Sequence, residues 1–175
     1  MEFSDRLIEL GSKYPWKCVT TIFHLTEELI QKMAESGCVR ISVGVETLDP
    51  GAKESLPKIK QNSEKALLNI ADWCLKYGVE LNCFVILGLP GESLDGARYT
   101  INLIREKKGR VRPTIYTPYH LLREDMSEEE VSSFNRQLFV KGIIDDKEAY
   151  EIYQIFFEQE LSPTTVYEKI PEYNI

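Results

Sequence analysis

The first chemistry this sequence offers is a carboxylate at the end of an alternating stretch. In Val39-Arg40-Ile41-Ser42-Val43-Gly44-Val45-Glu46, Arg40, Ser42, Gly44 and Glu46 alternate with Val39, Ile41, Val43 and Val45. A strand here presents one greasy face and one polar face. The stretch lies between two helical patterns, 26–36 and 63–77, so its sheet neighbour is expected to be parallel. Parallel strands normally read as continuous apolar runs, because both of their faces are covered. A polar second face therefore points to a cavity that binds something polar, with Glu46 at its C-terminal mouth. Ligands in parallel β/α architectures bind at the C-terminal ends of strands. The other strand exits to inspect are thus His24, Thr47, the turn Gly88-Leu89-Pro90-Gly91-Glu92, and Pro118-Tyr119-His120. The turn is not a P-loop, since no Gly-Lys-Ser/Thr follows it, and a GxGxxG pattern is absent. The two histidines read as surface or hydrogen-bonded residues rather than ligands or bases. Cys18, Cys38, Cys74 and Cys83 have no CxxC or Cys/His ligand spacing and read as reduced thiols packed in a core.

The elements that must position these residues repeat as strand and helix. Residues 16–23 are rich in aromatic and β-branched types and read as a strand; residues 1–15 before them form a helix or linker. Thr26 offers an N-cap to a helix with Leu29, Ile30, Met33 and Ala34 on one face, and Gly37 stops it. After Glu46, a loop through Asp49-Pro50-Gly51 and Pro57 leads to a cap at Asn62 or Ser63. The helix that follows carries Ala66, Leu67, Ile70, Ala71 and Cys74 at helical spacing and ends at Gly78. Residues 79–87 are the most apolar strand. Pro90-Gly91 fits the centre of a type II turn, Ser93 caps a third helix that Gly109 closes, and residues 111–117 supply a fourth strand. Consecutive strand-helix units give either an open doubly wound sheet or an arc of a β/α barrel. From Leu121 onward only helices are expected: one after a Ser127/Glu130 capping box, one after Asp145 or Asp146, and a short one opened by Ser162-Pro163. The expected division is thus 1–15, 16–120 and 121–175, the last a helical extension acting as lid or packing element.

Composition bounds the partners. A chain of 175 residues is long enough for one domain with a core. Net charge −7 and a pI near 5.0 give no bulk attraction for a phosphate backbone, which argues against nucleic acid. No apolar run approaches a membrane span, and the N-terminus lacks a signal-peptide pattern, so the expected location is cytoplasmic.

Taken together, Gly37 to Thr47, then Ile59-Lys60, then Phe84-Val85-Ile86-Leu87-Gly88-Leu89-Pro90-Gly91-Glu92-Ser93 resemble the later half of a radical S-adenosylmethionine (SAM) core. The order and spacing are similar to the branch with cobalamin-domain and methylthiotransferase-like members, and the resemblance covers about residues 16–120. It implies a partial TIM-like β/α barrel of six strands, of which the four here would be the third to sixth. It also implies S-adenosylmethionine and a 4Fe-4S cluster as cofactors. By position, Glu46 would contact the ribose or methionine moiety of SAM, with Ser42 deeper on the same face. Ile86 and Gly88 would contact the adenine, with Pro90, Gly91 and Glu92 shaping the turn. Lys60 matches a lysine common after the fourth strand, with no role assigned. A lumen lined by Ser42, Gly44, Glu46, Phe84 and Ile86 would hold a 5'-deoxyadenosyl radical dry and oriented.

The sequence also departs from that pattern. The CxxxCxxC cluster loop and the Gly-Gly-Glu-type motif of the second strand are absent. Thr21 stands where many relatives carry arginine, and Pro118-Tyr119-His120 replaces the usual Pro-Gly-Thr ending. The expectation is therefore that an N-terminal segment or subunit carries the cluster, and that this chain positions SAM without being catalytic alone. A non-catalytic remnant or interaction module that retains the fold and a nucleoside pocket is the alternative; a β/α enzyme using Glu46 and a histidine for acid-base work is a third reading. The substrate, a small molecule or peptide, is not legible.

Overall fold

The computed structural model describes residues 2–12 and 14–132, together with Phe134, Glu151, Gln154 and Ile155. The helices expected after residues 145 and 162 lie outside the described residues, apart from those isolated positions. The elements run α1 (Glu2–Glu9), β1 (Trp16–Thr20), α2 (Glu27–Glu35), β2 (Cys38–Glu46), α3 (Pro50–Lys53), α4 (Glu64–Tyr77), β3 (Glu80–Leu87), α5 (Leu94–Glu106), β4 (Arg110–Ile115) and α6 (Glu128–Ser132). Single 3-10 turns cover Ile22–His24, Lys58–Lys60 and Tyr119–Leu121.

Hydroxyl caps set the helix starts. Thr26, Ser63 and Ser93 accept from the amides of Leu29, Ala66 and Gly96 at 3.2, 3.1 and 3.0 Å, each satisfying a donor that the first turn leaves without a partner. Ser63 rather than Asn62 caps α4, which frees Asn62 for the site described below. Ser127 and Glu130 form the reciprocal capping box: the Ser127 amide donates to Glu130 Oε2 and the Glu130 amide to Ser127 Oγ. Gly78, at φ +70°, ends α4 in the left-handed conformation that glycine adopts without a Cβ penalty. At the end of α5 the left-handed residue is Lys108, not Gly109. Gly109 serves closeness instead, since a Cβ there would meet the Ile104 side chain at 2.8 Å.

The four strands form one parallel sheet in the order β1-β2-β3-β4. Sequential order, with the helices packed on one face, makes this an arc of a β/α barrel rather than a doubly wound sheet; the sheet is not closed. The helix-facing side carries Ile41, Val43, Val45, Leu81, Cys83, Val85 and Leu87, all buried against Ile30 and Met33 of α2, Leu67, Ile70 and Cys74 of α4, and Ala97, Ile101 and Ile104 of α5. The opposite face carries Ser42, Gly44, Asn82, Phe84 and Ile86. The N-terminal helix is tied on by an edge-to-face contact of Phe3 with Trp16 and by the Asp5–Lys32 ion pair.

Two irregularities bend β2. Trp16 pairs with Cys38 but Lys17 with Arg40, so Val39 is skipped. This bulge breaks the expected alternation: Val39 is 43% exposed while Cys38 is buried. Likewise Gly44 pairs with Phe84 but Glu46 with Val85, so Val45 is skipped, and Glu46 takes φ +61°. The strand expected over 16–23 ends at Thr20, where the chain tightens into the Ile22–His24 turn and buries Ile22.

Candidate functional site

The second bulge turns Glu46 out of the ladder and over Gly44. A Cβ on Gly44 would stand 2.7 Å from Glu46 Oε1 and 3.7 Å from Lys60 Nζ, so the bare backbone of residue 44 is what lets the carboxylate lie there. Lys60, on the short turn after α3, donates to Glu46 Oε1 at 2.8 Å. The Glu46 side chain is only 11% exposed, whereas that of Lys60 is 48% exposed. A left-handed non-glycine residue costs about 1–3 kcal/mol and persists where the surroundings enforce it. Here Asn62 supplies that enforcement. Its buried amide donates to the carbonyls of Gly44 (2.9 Å), Val45 (3.3 Å) and Lys60 (3.2 Å), tying the Lys58–Lys60 turn to the bulge.

These residues border a cavity of about 460 Å³ at the C-terminal mouth of the arc, within the size range of small-molecule sites. Glu46, Lys60 and Asn62 form its polar floor; Phe84, Phe23, Ile59 and Val19 give apolar walls, and Thr20 and Thr21 close the β1 side. Thr21 is hydrogen-bonded to His24 Nδ1 at 3.1 Å, so His24 is a partnered surface residue.

The other candidate residues divide. Ser42 lies deeper on the same face and accepts from Asn82 Nδ2 at 3.2 Å, bordering a second cavity of about 320 Å³ nearer the strand starts. Ile86 is half-buried one rung beyond Phe84 and does not border the upper cavity. After Gly88, the residues Leu89, Pro90, Gly91 and Glu92 form the expected type II turn, with Glu92 donating its amide to the Leu89 carbonyl at 3.0 Å and Gly91 at φ +79°. The Glu92 side chain points back into the fold. Its Oε2 accepts from the Gly88 amide at 2.7 Å and its Oε1 from the Thr47 hydroxyl at 3.1 Å. Burial, with the nearby Asp49 charge adding to it, pushes the Glu92 carboxyl up to about 7 against those hydrogen bonds. It is an internal clasp of the turn.

Sequence reasoning passed over Asp49. Its Oδ1 accepts from the Ala52 amide at 2.8 Å, capping α3, and its Oδ2 accepts from the Ser93 hydroxyl at 2.7 Å. Burial pushes Asp49 up, but the Ser93 hydroxyl and the amides of Ala52, Ser93 and Gly51 outweigh it and hold the carboxylate below its ordinary value. A signal was present: Asp before Pro-Gly is an N-cap followed by proline at the first helical position.

The cysteines offer no cluster set. Cys38, Cys74 and Cys83 are buried and Cys18 is half-buried, and burial pushes the thiols of Cys74 and Cys83 up to about 12. Among the described residues no three His, Cys, Asp or Glu side chains could hold a metal ion. The described residues therefore do not fit a 4Fe-4S cluster. The upper cavity does fit an amino-acid moiety: a carboxylate and an ammonium 2.8 Å apart at one end complement a zwitterion, and the aromatic walls complement a ring. No helix among the described residues is long and apolar enough to cross a membrane.

Comparison with known proteins gives the architecture a context. The family model of the radical SAM superfamily matches residues 2–104. No curated protein sequence matches the chain. Among solved structures, the radical S-adenosylmethionine methyltransferase TsrM from Kitasatospora setae, with cobalamin and a 4Fe-4S cluster bound, superposes with TM-score 0.55 at 14% identity, over 65% of this chain and 23% of that one. The same enzyme with tryptophan substrate and a SAM analogue, aza-SAM, gives TM-score 0.54 at 15% identity, over 65% and 22%. Coproporphyrinogen III oxidase (HemN) from Escherichia coli, a radical SAM enzyme, gives TM-score 0.56 at 11% identity, over 81% and 36%. These likenesses concern the fold, and this chain spans between 22% and 36% of the length of those proteins.

Proposed function

The chain belongs to the radical SAM superfamily, and from that premise we propose that it forms the part of a radical SAM enzyme that positions S-adenosylmethionine at its upper cavity, with the 4Fe-4S cluster held by an N-terminal segment or subunit. The observation that carries this reading is the Glu46–Lys60 pair, held at the strand exit by a left-handed bulge and the Asn62 amide. In the family, SAM bound at a reduced cluster supplies a 5'-deoxyadenosyl radical by cleavage of its sulfonium C–S bond.

The contributions of this chain are binding, orientation and exclusion of water. Glu46 would accept from the α-ammonium of the methionine moiety or from the ribose hydroxyls, and Lys60 would turn from Glu46 toward the α-carboxylate. The exchange leaves the nearly buried Glu46 carboxylate paired, because the ligand ammonium takes the place of the half-exposed Lys60 ammonium. Phe84, with Ile86 beyond it, offers an apolar surface for the adenosine. The Gly88 amide is held by Glu92, and the turn fixes where the β3 exit and the backbone of Gly88 lie against the adenine. Ser42 lies deeper on the same face and borders the lower cavity.

The test is calorimetric titration of S-adenosylhomocysteine into the chain and into Glu46→Gln. Saturable binding is expected, weakened about tenfold in the variant, as loss of one hydrogen bond to a charged group predicts. A folded chain that gives no heat of binding would refute the reading and favour an interaction module that keeps only the fold.

A further inference from the structure

The polar face of the arc carries more cations than the upper cavity uses. Around the lower cavity stand Lys17 of β1, Arg40 of β2 and Arg110 and Arg112 of β4, with Ser42 and Asn82 between them and Phe84 dividing this space from the upper one. Arg40 is held by Glu80, Nη2 to Oε2 at 2.7 Å. Lys17, Arg110 and Arg112 have no ion pair among the described residues. Four positive charges against the single Glu80 leave a local excess of three, inside a chain whose net charge is −7.

Burial adds a second observation. Arg110 Nε is shut off from water and has no hydrogen-bond partner. A buried N–H of a charged group without an acceptor is costly, and native folds rarely leave one. Glu80 Oε1 is also without a partner, and the Glu80 carboxylate is held by Arg40 through Oε2, so it does not serve Arg110. What Arg110 Nε lacks is an acceptor that reaches it.

We propose that the lower half of the lumen is a subsite for the oxyanion, phosphate or carboxylate, of a small-molecule substrate, held by Arg110, Arg112 and Lys17 with Ser42 and Asn82 as neutral contacts. Guanidinium groups suit such a group because their planar N–H forks match two oxygens at once. The cavity of about 320 Å³ takes a small anion with part of its carbon frame. Because Val19 and Phe84 border both cavities, an anion anchored here would hold the rest of the molecule against the upper space. This inference rests on the upper cavity being the SAM site and names the class of substrate that would lie beneath it.

The experiment titrates inorganic phosphate and, separately, glutarate into the full chain at low ionic strength, following heat. The same titrations are made on Arg112→Gln, Arg110→Gln and, as control, Lys76→Gln, whose lysine pairs with Glu27 on the helix side. Saturable binding of at least one probe is expected, about tenfold weaker in each arginine variant and unchanged in the control; the stronger probe identifies the oxyanion. Absence of saturable binding by both probes, or equal affinity in wild type and Arg112→Gln, would overturn the subsite. Arg112 is exposed, so its variant folds even where Arg110→Gln does not. A parallel S-adenosylhomocysteine titration separates the two claims: nucleoside binding without oxyanion binding refutes only the subsite, and the reverse refutes only the SAM reading.

Discussion

Substituting Glu92 should remove a pH dependence of stability that runs opposite to that of most carboxylates. The Glu92 carboxyl is buried, faces Asp49, and stands at about 7 in the fold against an ordinary 4.5. A carboxyl raised in the native state keeps its proton where the unfolded chain has already lost it. Its stabilising contribution is therefore complete below pH 4.5, declines between about 4.5 and 7, and is gone above. At about 1.4 kcal/mol per pH unit, that gap corresponds to about 3 kcal/mol across the window. Urea denaturation of wild type and Glu92→Gln at half-unit steps from pH 4.5 to 8 measures it. A glutamine can keep its carbonyl on the Gly88 amide and turn its amide toward Thr47 Oγ1, so the turn survives. The difference in unfolding free energy, wild type minus variant, should fall by about 3 kcal/mol as pH rises through the window. Asp49, held below its ordinary value, loses its contribution only at lower pH and cancels in the difference. A difference that is flat, or that rises with pH, would refute the reasoning and mean that Glu92 is ionised and stabilised by its two hydrogen bonds.

Two further substitutions test the scaffold around the site. Gly96→Ala places a methyl group 2.6 Å from Asp49 Cβ and against its carboxylate; it should destabilise by about 2 kcal/mol in urea melts, although alanine in a helix is otherwise worth about 1 kcal/mol over glycine. Asn62→Ala leaves the carbonyls of Gly44 and Val45 without their donor and should cost about 1–3 kcal/mol, with the backbone resonances of residues 44–46 and 58–62 shifting together in NMR spectra.

Much of the fold was legible because its determinants are local. The caps at Thr26, Ser63, Ser93 and Ser127, the stops at Gly37 and Gly78, and the Pro90-Gly91 turn each follow from the conformational needs of one or two residues, and the structure has them. The barrel arc was open to the doubly wound alternative, because helical spacing does not say on which face of the sheet the helices pack. What stayed hidden depends on register. The bulges at Val39 and Val45 follow from the pairing of β2 with β1 and β3, and no pattern within 39–46 announces them. The sequence picks out Glu46, yet its left-handed turn toward Lys60 arises from that second bulge and from Asn62, read only as a cap candidate. The lower cationic cluster escaped for the same reason: Lys17 and Arg112 are far apart in sequence and meet only because β1 and β4 flank one concave face.

The most direct measurement of the central claim is a crystal structure of this chain with S-adenosylhomocysteine bound. The account predicts the amino-acid end of the ligand between Glu46 and Lys60, its adenosine against Phe84, and the Gly88–Glu92 turn unchanged. A ligand seated elsewhere, or a Glu46–Lys60 pair still closed at 2.8 Å beside an occupied cavity, would contradict it.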